Sequence, residues 1–156
     1  LVRALSRGGG IIYEYRDGSI VYDEEEDPLP FDLEADIIEI EDKDYALFFR
    51  DISEDYEKYE GKTVRFTGII AKDDQVPKNL FVIGRHVMTC CEADIAYSGF
   101  AAVWKDAESL NSYDWRKMTA KIKIEKCAIY RQRGPVFYPI SVEECEIPEQ
   151  KVATFY

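Results

Sequence analysis

Two neighbouring cysteines, Cys90 and Cys91, stand in the run Arg85-His86-Val87-Met88-Thr89-Cys90-Cys91-Glu92-Ala93-Asp94, beside the only histidine of the chain. Thiolates are soft ligands that suit zinc or copper(I), and Asp94 places a carboxylate three residues further on as a third ligand or an orienting group. The pair also suits thiol redox chemistry, although a bond between adjacent cysteines strains the intervening peptide. The plain alternative puts one cysteine in the core and the other under a loop, because free cysteine is often buried. Successive residues of a strand point to opposite faces, so both sulfurs serve one site only where the strand ends or bends. Glu92-Ala93-Asp94 supplies such a bend. His86 and Cys90 alternate onto the same face, but extended chain separates them by about 13 Å. A histidine satisfied in the core or at the surface is therefore the expectation for His86. Cys127 and Cys145 fall on the last two strands, where they could meet across a hairpin or join Cys90 and Cys91 in a four-sulfur site.

Other clusters carry less chemistry. Asp23-Glu24-Glu25-Glu26-Asp27 is acidic enough for calcium but lacks the alternating spacing and central glycine of an EF-hand loop, so it reads as a solvated loop. Lys117, Lys121, Lys123 and Lys126 alternate with apolar residues, a pattern that single-stranded nucleic acid could use on a barrel. The same pattern is the ordinary wet face of a half-buried strand. No paired catalytic carboxylates, nucleophile elbow or phosphate loop occurs, and the chain reads as a non-enzyme.

The elements that would position the cysteines are read from periodicity. A chain of 156 residues, 46% hydrophobic and 33% charged, is long enough for one full core and has an ordinary globular composition. Acidity is concentrated at the start: the first sixty residues carry 19 Asp+Glu against 6 Lys+Arg, while the whole chain has a net charge of −11. Such a surface repels nucleic-acid phosphates and anionic lipid, so neither is an expected partner. Four cysteines without a CxxC pair do not make a disulfide scaffold, and they weakly favour a reducing compartment. No apolar run reaches the length of a membrane helix, and no signal peptide is visible. A chain that begins at Leu1 suggests a piece of a longer precursor.

Residues 1–10, ending in Gly8-Gly9-Gly10, read as a flexible lead-in. Ile11–Tyr15 and Ile20–Tyr22 around Asp17-Gly18 read as a hairpin, and Ile37–Ile40 as a short strand. Tyr45, Phe48, Phe49, Ile52, Tyr56 and Tyr59 share one helical face, which predicts an amphipathic helix from an Asp44 N-cap to about Tyr59, stopped by Gly61. The period then becomes two. A strand containing Val64, Phe66 and Ile70 is interrupted by Gly68, where a bulge or bend is expected. Strands follow over Leu80–Cys91, Tyr97–Trp104, Trp115–Tyr130 and Val136–Ile147, with one helical turn within 106–114. The fold class is α+β, mainly β: an OB-like five-stranded Greek-key barrel preceded by a hairpin and an amphipathic helix. Residues 1–43 form an acidic N-terminal extension with the hairpin and short strand, and residues 44–156 hold the helix and barrel.

Several landmarks together resemble a known family. They are Tyr59-Glu60-Gly61-Lys62, Phe66-Thr67-Gly68, Pro77-Lys78-Asn79, the Phe81–Arg85 strand, Met88-Thr89-Cys90-Cys91 with Ala93-Asp94, Trp115 and Pro148. On these residues, which span roughly Tyr45–Tyr156, the chain resembles the YcgQ-like family of uncharacterised bacterial proteins, described as the partner subunit of a two-component permease. Thr89–Asp94 is the specific part. His86 stands where the family is expected to have an aromatic, and Lys151–Tyr156 follows the family's proline-and-tyrosine ending loosely. The resemblance implies a domain carried behind two membrane helices, an integral-membrane permease subunit as partner, and association with the cell membrane through a segment outside this chain. No direct membrane insertion by this fragment is implied. The expected function is a non-enzymatic accessory or binding domain of that permease complex, with Cys90, Cys91 and Asp94 as a metal site for zinc or another soft metal. The alternatives are an OB-type single-stranded nucleic-acid-binding module and a thiol-redox protein.

Overall fold

The computed structural model describes residues 3–7, 10–14, 20–22, 29–130 and 132–155. Contacts group the chain into two compact units, Leu1–Pro30 and Phe31–Tyr156; the boundary placed between residues 43 and 44 lies inside the second. In the first unit, strands β1 (Arg3–Arg7), β2 (Gly10–Glu14) and β3 (Ile20–Tyr22) form an antiparallel sheet in chain order. The β2–β3 pair, with Ile12 opposite Tyr22, is the expected hairpin. Its Asp17-Gly18 turn and the acidic loop Asp23–Asp27 lie outside the described residues. The reading of residues 1–10 as a lead-in is corrected: Arg3–Arg7 pairs along β2 from Arg3↔Glu14 to Arg7↔Gly10. Arg3-Ala4-Leu5-Ser6-Arg7 has little β-propensity of its own, and it is the open edge of β2 that organises it.

The second unit opens with β4 (Ile38–Glu39), then α1 (Tyr45–Glu54), β5 (Thr63–Ala71), β6 (Leu80–Met88), β7 (Ala96–Val103), β8 (Trp115–Glu125), β9 (Gly134–Glu144) and β10 (Val152–Thr154). The sheet order is β10-β6-β7-β9-β8-β5-β4, and an additional β5–β6 pairing closes it. Five strands therefore run round a barrel in the order β5-β6-β7-β9-β8, antiparallel except where β7 meets β9 in parallel. That is the strand order of an OB-type Greek-key barrel. β5 serves two neighbours, pairing with β8 along Thr63–Ile69 and with β6 along Ile69–Ala71. Gly68 sits at this transfer without a bulge. A Cβ there would lie 2.9 Å from both the Gly84 carbonyl oxygen and Ile83 Cγ1, closer than real side chains come. The strand order itself thus requires a glycine at that crossing.

Helix α1 forms because its apolar residues recur at helical spacing, and it lays Tyr45, Phe48 and Ile52 into the core. Phe48 meets Phe66 and Phe100 at ring centroid distances of 5.9 and 5.6 Å, and Phe100 stacks on Phe137 at 4.7 Å. Each such ring removed from water contributes about 1.5–3 kcal/mol. The helix is shorter than its periodicity suggested. It stops at Glu54, Asp55 leaves helical geometry with φ −141° and ψ 61°, and Tyr56–Tyr59 continue as a 3-10 turn. Tyr59 still reaches the core because its hydroxyl donates to Asp51 Oδ2 at 2.5 Å, bridging the break. Gly61, at φ +78°, ends the segment as expected. Asp44 occupies the N-cap position but makes no side-chain cap bond. The preceding Asp42–Asp44 3-10 turn already gives it helical dihedrals.

Strand ends are the second correction. β6 ends at Met88 rather than Cys91, β8 at Glu125 rather than Tyr130, and β9 at Glu144 rather than Ile147. β8 stops where Tyr130 N–H turns back to the Cys127 carbonyl at 3.2 Å. β9 carries a register shift against β8 between Thr119/Ala120, with Ser141 and Pro139 opposite them, which leaves Ile140 as the extra residue, 68% exposed. β10, absent from the sequence reading, runs parallel to β6 with Thr154 opposite Met88.

Candidate functional site

The cysteine turn begins where β6 lets go of its neighbours. β6 is held on both sides up to its last residues, by β7 through Val87↔Ala96 and by β10 through Met88↔Thr154. The next three backbone N–H groups then find one acceptor. Thr89 N–H donates to Asp94 Oδ1 at 2.7 Å, and Cys90 and Cys91 N–H donate to Oδ2 at 2.8 and 3.2 Å. A carboxylate accepting several amides is a strong organiser of a turn. Glu92–Asp94 closes it as a 3-10 turn, with a capping box in which the Cys91 side chain accepts the Asp94 N–H. This is the bend at Glu92 that the sequence reading required.

The bend brings the chemistry together. The ligand atoms of Cys90, Cys91 and Asp94 lie within 4.8 Å of one another, with both cysteines exposed and Asp94 half-buried. Cys90 Sγ donates to Asp94 Oδ2 at 2.8 Å. That bond, followed by the amides of Thr89 and Cys90, holds the Asp94 carboxyl down at about 2. The same bond raises the Cys90 thiol above its usual range, and the Cys91 side chain raises it further. The shift runs against thiolate formation at Cys90, which nucleophilic attack and metal ligation both need. Two sulfurs and one carboxylate form a mixed donor set that could hold a metal ion.

The other sequence candidates sit elsewhere. His86 is exposed on β6, edge-on to Tyr97 at 5.6 Å, and borders a cavity of about 210 Å³ with Ile69, Lys72 and Tyr113. Cys127 and Cys145 are half-buried free thiols outside the Cys90–Asp94 group, so the structure does not assemble a four-sulfur site. Of the four lysines, Lys117 is opposite Glu143, Lys123 lies 3.8 Å from Glu125, Lys121 is opposite Tyr138, and Lys126 follows the end of β8.

Arg85, in sequence an ordinary strand residue, is the largest fully buried side chain among the described residues. Its Nη1 donates to Asp42 Oδ1 at 2.7 Å, its Nη2 donates to the Gln150 carbonyl, and its guanidinium lies 5.2 Å over the Trp115 ring. It ties the segments before α1 and before β10 to the strand that carries the cysteine turn. The signal was a charge on the otherwise apolar face of Phe81, Ile83 and Val87.

The family model described as the DUF1980 C-terminal domain matches residues 19–153. This chain belongs to that family. None of the curated proteins matches the domain. Among solved structures, this DUF1980 C-terminal domain is similar to aspartyl tRNA synthetase from Entamoeba histolytica, at 9% identity and a TM-score of 0.32, over 58% of this chain and 20% of that one. It spans about a fifth of that protein. Among the described residues, no helix of the domain is long and apolar enough to cross a membrane.

Proposed function

We propose that this chain is a non-enzymatic accessory or binding domain whose Thr89–Asp94 turn holds a soft metal ion, zinc first, on behalf of a membrane permease complex. The observation that carries the metal reading is the convergence of Cys90, Cys91 and Asp94 ligand atoms within 4.8 Å on an exposed turn. Zinc is favoured over copper(I) because a carboxylate is a poor partner for the softer ion. The permease assignment is supported by the YcgQ-like resemblance, whose specific residues are those of the same turn. Its partner is an integral-membrane permease subunit.

Elemental analysis tests the metal reading. Protein purified without chelator should carry one zinc per chain, and the Cys90→Ser, Cys91→Ser double variant should lose it. Equal zinc in both proteins would end the reading. Crosslinking from a residue placed at Glu92 should capture the permease subunit in membranes that contain both. Failure with every site around the turn would remove the permease assignment and leave the metal site standing.

A further inference from the structure

We infer that the Cys90–Cys91–Asp94 turn is an exchange site, which takes up and releases zinc while the fold stays as it is. The inference rests on the metal reading above and adds what kind of site it is.

Structural zinc sites have four protein ligands, and the metal supplies the folding energy of the segment around it. Here the segment is already complete. Asp94 takes the N–H groups of Thr89, Cys90 and Cys91, and the Cys91 side chain caps the Asp94 N–H. The platform beneath is equally independent of metal, because β6 is paired with β7 and β10 up to Val87 and Met88. An ion would therefore enter a formed site, and its departure would expose no core.

The donor count points the same way. Among the described residues, only Cys90, Cys91 and Asp94 gather their ligand atoms here, and both sulfurs are exposed. Tetrahedral zinc would keep its fourth position toward solvent. A catalytic zinc site also leaves that position open, but His86, on the preceding strand, turns to Tyr97 and the cavity beside it, and the Glu92 carboxylate is outside the ligand group. An open position suits ligand exchange, in which an incoming thiolate or imidazole from a partner adds to the zinc before Cys90 or Cys91 leaves. Asp94 favours release as well, since its oxygens are already shared among three amides. The ligand class is a borderline divalent d10 cation passed between thiolate or imidazole donors.

The test uses the whole chain, kept reduced by a non-thiol reductant and loaded with one equivalent of zinc. Zinc transfer to a chromogenic chelator is followed without denaturant, with far-UV circular dichroism and amide spectra recorded before and after. Complete transfer within the mixing experiment, with unchanged dichroism and only the Thr89–Asp94 amides shifted, is the expected result. Zinc that leaves only on unfolding, or a chain that loses its dichroism with its zinc, would overturn the exchange site while leaving the metal site intact. Wild-type protein that retains no more zinc than the Cys90→Ser, Cys91→Ser variant would remove the metal reading, and the exchange inference with it.

Discussion

Asp94 does more for the turn than either cysteine, because its carboxylate is the single acceptor that lets three consecutive amides leave the sheet. Asp94→Ala should therefore abolish slow hydrogen exchange at Thr89, Cys90 and Cys91 while leaving the barrel amides protected. Loss of protection throughout the barrel would show that the turn is not an independent unit. The acid dependence has a definite sign. The folded value near 2 lies below the unfolded one near 3.8, so the contribution is complete above the unfolded value and disappears as pH falls toward 2. The three amides should keep their chemical shifts at pH 4 and move together only in stronger acid. Arg85 makes the opposite case of a charge held inside. Asp42→Ala leaves that buried guanidinium short of its carboxylate and should cost about 2–4 kcal/mol in urea unfolding. Breaking the exposed Lys78–Glu108 pair, 3.8 Å apart, should cost well under about 1 kcal/mol.

At the scale of elements, the barrel depends on two narrow places. One is the crossing of β5, β6 and β7, where Gly68 approaches Gly84 and Gly84 approaches the backbone of Ser98 and Gly99. A methyl group at Gly84 would meet backbone rather than a movable side chain, so Gly84→Ala should destabilise by about 2 kcal/mol or more. An unchanged unfolding midpoint would contradict the described crossing. The other is the short parallel seam, where β7 and β9 pair at Ala102↔Phe137. Tyr130 bridges it: its hydroxyl donates to the Pro135 carbonyl at 2.7 Å and accepts the Ala101 N–H at 2.9 Å. Burial pushes that hydroxyl up to about 12. A folded value above the unfolded one near 10 means stability that is complete below pH 10 and is lost as pH rises toward 12. Tyr130→Phe should cost about 1–3 kcal/mol by leaving Ala101 N–H unpaired, and it should flatten that alkaline loss.

For the molecule as a whole, the barrel was legible because its strands alternate and its helix does not. Val64, Phe66 and Ile70 on one strand, and Met118, Ala120, Ile122 and Ile124 on another, mark inner faces that are buried in the fold. What the residues alone could not supply were features fixed by distant partners. Val152-Ala153-Thr154 is too short to announce a strand, and only the free edge of β6 makes it one. Arg85 reads like any strand charge until Asp42 and Gln150 are brought to it from 43 and 65 residues away. The site was legible to the extent that Glu92-Ala93-Asp94 promised a bend. That Asp94 would gather the amides, and so set both thiols beside one carboxylate, depended on where β6 ended. The central claim is this shared ligand set, and zinc K-edge X-ray absorption on the loaded chain tests it most directly. The predicted first shell has two sulfurs at about 2.3 Å and two lighter atoms at about 2.0–2.2 Å. A shell of four sulfurs, or one with no sulfur, would contradict it.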